Sequence, residues 1–322
     1  MKIAIIGGHG FLGRLLAREI LARGQVVDSA GKLQDVSEVM AIDQVAAEPP
    51  LLGVRSIIGD ISDAGFLTRA IEPDVQAVFH LAAVVSAAAE ADFDLGMRVN
   101  IDATRAVLER CRALITPPKL VFTSSLAAFG DPPAMVRDDT PALPHSSYGV
   151  QKVIGEYLVG EYARKGFVDA RAVRLPTITI RPGKPNKAAS SFVSAILREP
   201  LQGQRAICPV EPEMQLWVQS PRRATQNLLL AHDLSADEWG GPSRVVNLPG
   251  LTVTVAEMIA ALTRAGGDAG LIEWLPDPAI RRLVGSWPVA MNTARADAMG
   301  FVGDANIDEI IGDFMCQVNG YS

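Results

Sequence analysis

Through residue 175, short unbroken apolar runs alternate with stretches in which apolar residues recur every three or four positions. The run KIAII (2–6) reads as a buried strand, because branched apolar side chains fill it. Across 11–22, Leu12, Leu15, Leu16 and Ile20 stand at helical spacing and predict a helix. VMAID (39–43), RSII (55–58), AVFH (77–80), KLVFT (119–123) and ARAVRL (170–175) predict further strands. Residues 100–112 and 148–164 predict helices. Strands that are apolar throughout belong to parallel sheets covered on both faces. Their alternation with helices predicts an α/β fold, a doubly wound parallel sheet with a smaller C-terminal domain.

The texture changes after residue 175. Six prolines and many small polar residues occupy 176–215. Residues 215–220 and 245–248 read as strands returning to the first domain. Residues 255–265 predict a helix, with Thr254 as cap and Glu257 three positions on. Residues 276–288, with Pro276, Pro278 and Pro288, read as loop, and an amphipathic helix follows Asn306. The expected domains are 1–175, with 216–250 returning to it, and a second assembled from 176–215 and 251–322.

The chain has 322 residues, 48% hydrophobic and 20% charged, enough for a large core and too few charges for a disordered chain. A net charge of -6 without a basic tract argues against nucleic acid and against an anionic membrane surface. It leaves room for a small anionic ligand, which needs only a local cation. No stretch reaches the roughly 18 uninterrupted apolar residues of a membrane span. Glycines interrupt the apolar start MKIAIIGGHGFLG at once, which argues against a signal peptide and for a cytoplasmic protein. Cys111, Cys208 and Cys316 are far apart, and no metal site is expected.

Gly7, Gly10 and Gly13 follow the pattern G-x-x-G-x-x-G between the first strand and the first helix. In that setting the first glycine permits a tight turn, the second lets backbone approach a pyrophosphate, and the third packs helix against strand. With Phe11 and Leu12 they form a dinucleotide site at a helix N-terminus. An acid after the second parallel strand would hold the adenosine ribose and select NAD over NADP. Asp28 and Asp43 compete for that place. Asp43 is preferred because it ends the better strand, which makes 25–38 an inserted hairpin. Asp60 and Ile61, after the third strand, are candidates for the adenine.

Tyr148 and Lys152 lie four apart on one predicted helix face. A phenol ionises near pH 10, too high for a general base at neutral pH. A neighbouring ammonium is expected to bring it down and to hold ribose hydroxyls. Ser125 ends a strand about two dozen residues earlier, where it can orient a substrate hydroxyl against Tyr148.

The segments GGHGFLG, GDI, HLAA, FTSSLAAFG, YGVQK and RLPTITIRPG together resemble the extended short-chain dehydrogenase/reductase family, which includes sugar-nucleotide epimerases and dehydratases. The resemblance implies an NAD-dependent dehydrogenase with Tyr148 as acid/base, Lys152 as its partner and Ser125 on the substrate hydroxyl. It implies Leu81, Ala82 and Ala83 beside the cofactor, Asn100 on a neighbouring helix, and Pro176 and Thr177 at the nicotinamide. It also favours Asp43, and a homodimer paired through helices 101–112 and 148–164. Residues 174–192, 198–210 and 216–224 are most similar to the branch oxidising the C2 hydroxyl of a four-carbon sugar acid. A small carboxylate substrate needs a cation and hydroxyl partners. Arg174, Lys184, Asn186, Ser191 and Arg222 are the candidates, with Lys187, Ser190 and Arg223 behind them and Arg181 read as a turn residue. Two alternatives stay open: a nucleotide-sugar epimerase or dehydratase, and a non-catalytic NAD-sensing interaction protein.

Overall fold

The computed structural model describes residues 1–183, 188–241 and 243–319. Strand β1 (Lys2–Ile6) runs into the helix Phe11–Arg23, and β2 (Gln25–Val27) and β3 (Leu33–Asp35) then pair antiparallel as a hairpin. Next come β4 (Glu38–Asp43), β5 (Val54–Ile58), β6 (Val75–His80), β7 (Lys119–Ser125) and β8 (Asp169–Leu175). The second half adds β9 (Thr177–Ile178), β10 (Ala206–Cys208), β11 (Gln215–Gln219), β12 (Val245–Asn247), β13 (Leu251–Thr254) and β14 (Ile272–Trp274).

Seven of these form one sheet in the order β12-β8-β7-β6-β1-β4-β5, with every neighbouring pair parallel. From β1 the chain steps outward to β4 and β5, then returns to β6 on the other side. This reversal opens a crevice at the carboxyl ends of β1 and β6, where doubly wound sheets bind ligands. Alternate residues of β1 face opposite layers. Ile3 and Ile5 pack with Leu16 and Ile20, while Ala4 and Ile6 pack with Val107 and Leu108. Each fully buried branched side chain contributes about 1.5–3 kcal/mol. Burial on both faces explains why β1 is apolar at both parities.

A third core holds the second half together. Phe192, Ile196 and Leu197 of the helix Ser191–Leu201 meet Met258 and Leu262 of the helix Val255–Arg264. Thr254 caps the latter and Glu257 completes the reciprocal capping box.

Several expectations are corrected. Only Val245–Asn247 returns to the seven-stranded sheet; Gln215–Gln219 joins a separate sheet of order β13-β11-β9. Periodicity reports that a strand is buried, not which partner it pairs with. The loop expected at 276–288 contains the helix Pro278–Gly285, since Pro278 occupies the first turn, where its missing N–H costs nothing. The helix Ser191–Leu201 lies within the proline-rich stretch 176–215, for which no helix was expected, with Pro200 near its end. Among the described residues, no helix is long and apolar enough to cross a membrane, and no cluster of three His, Cys, Asp or Glu could hold a metal.

Candidate active site

The glycine turn sits at the carboxyl end of β1. Gly7 has φ +83°, and its N–H donates to the Ile42 carbonyl at 2.8 Å, which ties the turn to β4. A Cβ on Gly13 would collide with the Gly7 carbonyl, so only glycine lets helix and turn approach this closely. The helix Phe11–Arg23 starts at Gly10 with no side-chain cap and no acid in its first turn. Its leading N–H groups therefore face the crevice unopposed by carboxylate. Open backbone donors at a helix N-terminus, with no side chain to fill the cradle, fit a pyrophosphate.

Asp43 closes β4, next to β1. Its carboxylate accepts from the N–H of His9 at 3.0 Å and of Gln44 at 2.8 Å. It thus stands at the rim of the glycine turn. Asp28 belongs to the β2–β3 hairpin, where it accepts from the N–H groups of Ala30 and Lys32 at 2.8 and 2.9 Å. The His9 ring contacts Ser56 at 2.9 Å, away from Tyr148. Asp60 follows β5, and the Ser62 N–H on its carboxylate holds it below the usual carboxylate range. Asp43, Asp60 and Ile61 lie outside the lining of the central cavity, on the β4–β5 side.

That cavity, about 510 Å³, runs along the crevice. Gly7, Gly10, Phe11, Leu12 and Gly13 line one end, and Leu81 and Ala83 line its side. Ala82 packs against Gly7, and its N–H donates to the Ile6 carbonyl at 2.9 Å. Ser125, Tyr148, Lys152 and Pro176 line the middle. Thr177 lines a smaller adjoining recess of about 70 Å³, into which Ser125, Tyr148 and Pro176 also face. Asn100 stands behind the wall, not in it. Its amide grips both the N–H and the carbonyl of Val84, at 2.8 and 2.9 Å, and donates to Gln151 at 2.6 Å.

Local chemistry brings Tyr148 to Ser125. Ser146 caps the helix Ser147–Arg164 through the Gly149 N–H at 3.1 Å, and a Cβ on Gly149 would strike the Ala127 carbonyl just after β7. Loss of water around its hydroxyl pushes Tyr148 up to about 12, while the Ser125 hydroxyl and the Arg181 charge pull the other way. Burial draws Lys152 down to about 7, opposed by Glu156. Lys152 Nζ donates to the Thr123 carbonyl at 2.7 Å and lies 5.6 Å from the Tyr148 ring centre. The Arg181 charge, which the sequence did not point to, also acts on Tyr148 and favours its ionised form.

The expected substrate residues separate. Ser191 lines the cavity. Arg174 does not: it is buried against Glu156 and faces a different cavity. Arg222 is engaged by Asp313 and Glu309, each at 2.6 Å, and Arg223 by Glu309 at 3.2 Å. Lys184, Asn186 and Lys187 lie outside the described residues. Ser194, Arg198 and Arg181 line the cavity unforeseen. Ser191, Ser194 and Arg198 recur at helical spacing, a signal the prolines around them obscured.

The chain matches the model of the NAD dependent epimerase/dehydratase family over residues 3–223 and belongs to that family. It is an NAD-dependent oxidoreductase. The chain is 51% identical to a protein named D-erythronate dehydrogenase from Cupriavidus necator over 319 residues, 98% of each chain. Another of that name, from Haemophilus influenzae, is 42% identical over 98% of this chain and 99% of its own. A solved structure described as the nucleoside-diphosphate-sugar epimerase from Agrobacterium tumefaciens matches with a TM-score of 0.90 and 39% identity, covering 100% of this chain and 95% of that one.

Proposed function

We propose that this enzyme oxidises the C2 hydroxyl of a short sugar acid, D-erythronate to 2-oxo-tetronate. The observation carrying the reading is that the relatives at 51% and 42% identity bear that name across 98% of this chain. Ser125, Tyr148 and Lys152 in one cavity supply a chemical basis for it.

NAD, when bound, supplies the acceptor for the hydride leaving C2. The Gly7–Gly13 turn would hold its pyrophosphate, Asp43 its adenosine ribose, and Asp60 and Ile61 its adenine. Leu81, Ala82, Ala83, Pro176 and Thr177 would bound the path to the nicotinamide. Ser125 donates to the substrate oxygen or accepts from it and aligns the carbinol. Tyr148 takes the alcohol proton as phenolate, a form that burial opposes and that the Ser125 hydroxyl and the Arg181 charge favour. Lys152 would hold the nicotinamide ribose and, with a pKa drawn to about 7, exchange protons near neutral pH. Asn100 acts indirectly, by fixing Val84 beside the cofactor path.

The organisation into an NAD domain and a substrate lobe at residue 175 is part of this reading, as are a cytoplasmic location and a homodimer. Tyr157 and Val150, exposed on the helix Ser147–Arg164, support a dimer through that face. The Agrobacterium description favours a second reading, a sugar-nucleotide epimerase. The deciding experiment presents NAD⁺ with four- to six-carbon sugar acids and, in parallel, UDP- and GDP-sugars. NADH production from a four-carbon acid is expected. Epimerised nucleotide sugar without acid oxidation would replace the proposal by the second reading. Tyr148→Phe should keep NADH binding and lose at least about 100-fold in turnover.

A further inference from the structure

His9 is the one residue between Gly7 and Gly10 that carries a side chain, and its imidazole ties the turn to two strands. Nδ1 meets the Val45 carbonyl, two residues past the end of β4, and Nε2 meets the Ser56 hydroxyl on β5 at 2.9 Å. A carbonyl only accepts, so Nδ1 carries the proton and the neutral ring takes the Ser56 hydrogen bond at Nε2. Both nitrogens are thereby engaged within the protein. The His9 N–H donates to one Asp43 oxygen at 3.0 Å, and the Gln44 N–H donates to the other at 2.8 Å. Each carboxylate oxygen keeps a lone pair, which is what two neighbouring hydroxyls require. Glycine on either side gives the His9 peptide little conformational restraint of its own, so the ring's hold on Val45 and Ser56 sets where its N–H points. Ser56 is fixed in turn by its register with Ala41 in the β4–β5 ladder.

We propose that His9 is a positioning residue for the cofactor: it aims Asp43 at the adenosine ribose and closes the side on which NADP carries its 2′-phosphate. This rests on the assignment of the ribose to Asp43 above. The 2′-phosphate is an ester of an oxygen that Asp43 would hold, so it has to project past the end of β4. Past that end stands the His9 ring, bonded to the Val45 carbonyl. The ring fills space, and with both nitrogens engaged it has no N–H to offer a phosphate. The Asp43 carboxylate and the Val45 carbonyl beside it are acceptors, which repel phosphate oxygens. Selectivity then comes from a penalty on the wrong cofactor as well as from contacts to the right one.

The test titrates wild type, His9→Ala, His9→Gln and Asp43→Ala with NADH and with NADPH, binding being followed by nicotinamide fluorescence and folding by melting temperature. His9→Ala should weaken NADH binding by roughly 3- to 10-fold and tighten NADPH binding, so that the preference for NADH falls by at least about tenfold. The amide of His9→Gln can donate to Val45 and accept from Ser56, and it should recover part of that preference. Equal losses for NADH and NADPH in His9→Ala mark a residue that merely holds the turn together, and overturn the proposal. So does a ratio of the two affinities within about twofold of wild type, beside an Asp43→Ala protein that has lost NADH affinity. An Asp43→Ala protein that binds NADH as wild type does overturns the ribose assignment, and this inference with it.

Discussion

Glu156 grips Arg174 with both oxygens, each 2.7 Å from a guanidinium nitrogen. The Ser124 hydroxyl donates to the same carboxylate, and Arg174 also reaches Asn247 at 3.3 Å. The pair therefore fastens β7, β8 and β12 to the helix carrying Tyr148. Removing one partner strands a buried charge. Glu156→Gln is expected to destabilise the protein by about 3 kcal/mol or more. Urea unfolding reads this directly. A variant within about 0.5 kcal/mol of wild type would remove the structural role assigned here.

Asp43 and Asp28 should separate cleanly in cofactor titration. Asp43 stands at the rim of the glycine turn, whereas Asp28 only folds its own hairpin. Asp43→Ala should weaken NADH binding by roughly 10- to 100-fold and Asp28→Ala by less than about twofold. The reverse ranking in fluorescence titration would sink the assignment of Asp43.

Gly13→Ala inserts a methyl against the Gly7 carbonyl and the Gly8 Cα, the latter only 2.7 Å away. Backbone on both sides cannot swing aside as a side chain could. The expected cost is about 1–3 kcal/mol in stability, with a loss of NADH affinity. An unchanged melting temperature together with unchanged affinity would contradict the close packing described.

Stability should rise with pH from 7 toward 10. Burial draws Lys152 from 10.5 down to about 7, so in that interval the unfolded chain holds a proton the native protein releases. More protons on the unfolded state means stability increasing with pH. Above 10 the sign reverses, because Tyr148, raised to about 12, keeps its proton only in the native state. On the acid side, His80 is drawn by burial from 6.5 to about 3, so stability falls as pH drops through that range. Denaturant midpoints at pH 7, 8 and 9 should climb in the wild type and stay flatter in Lys152→Met. Parallel curves would rule out a buried, largely neutral Lys152.

Local signals carried the architecture of the first half and the sites made from contiguous residues. The run Lys2–Ile6, the glycines behind it and the helix that follows are adjacent in the chain, so their geometry follows from nearest-neighbour sterics and hydrogen bonds. The Tyr148–Lys152 spacing is helical and equally local. The preference for Asp43 over Asp28 followed from the hairpin expected at 25–38, which the β2–β3 pairing realises.

Which cation faces Tyr148 was not a local matter. Arg174, Arg181, Arg198 and Arg222 are chemically alike along the chain, and charge alone does not rank them. The fold ranks them by the company each keeps. Glu156 lies 18 residues from Arg174 and Asp313 lies 91 from Arg222, yet each ends as an ion-pair partner. Arg181 instead enters the cavity because Val218 pairs with Thr177 and the serines of the following helix brace the turn beyond. Sequence alone determined the doubly wound sheet, the glycine turn and the helix carrying Tyr148 and Lys152, because neighbouring residues set them. Tertiary structure alone decided that Arg181 and Arg198 line the cavity while Arg174 and Arg222 pair with Glu156, Asp313 and Glu309 away from it, because partners far apart in sequence meet only once the chain has packed.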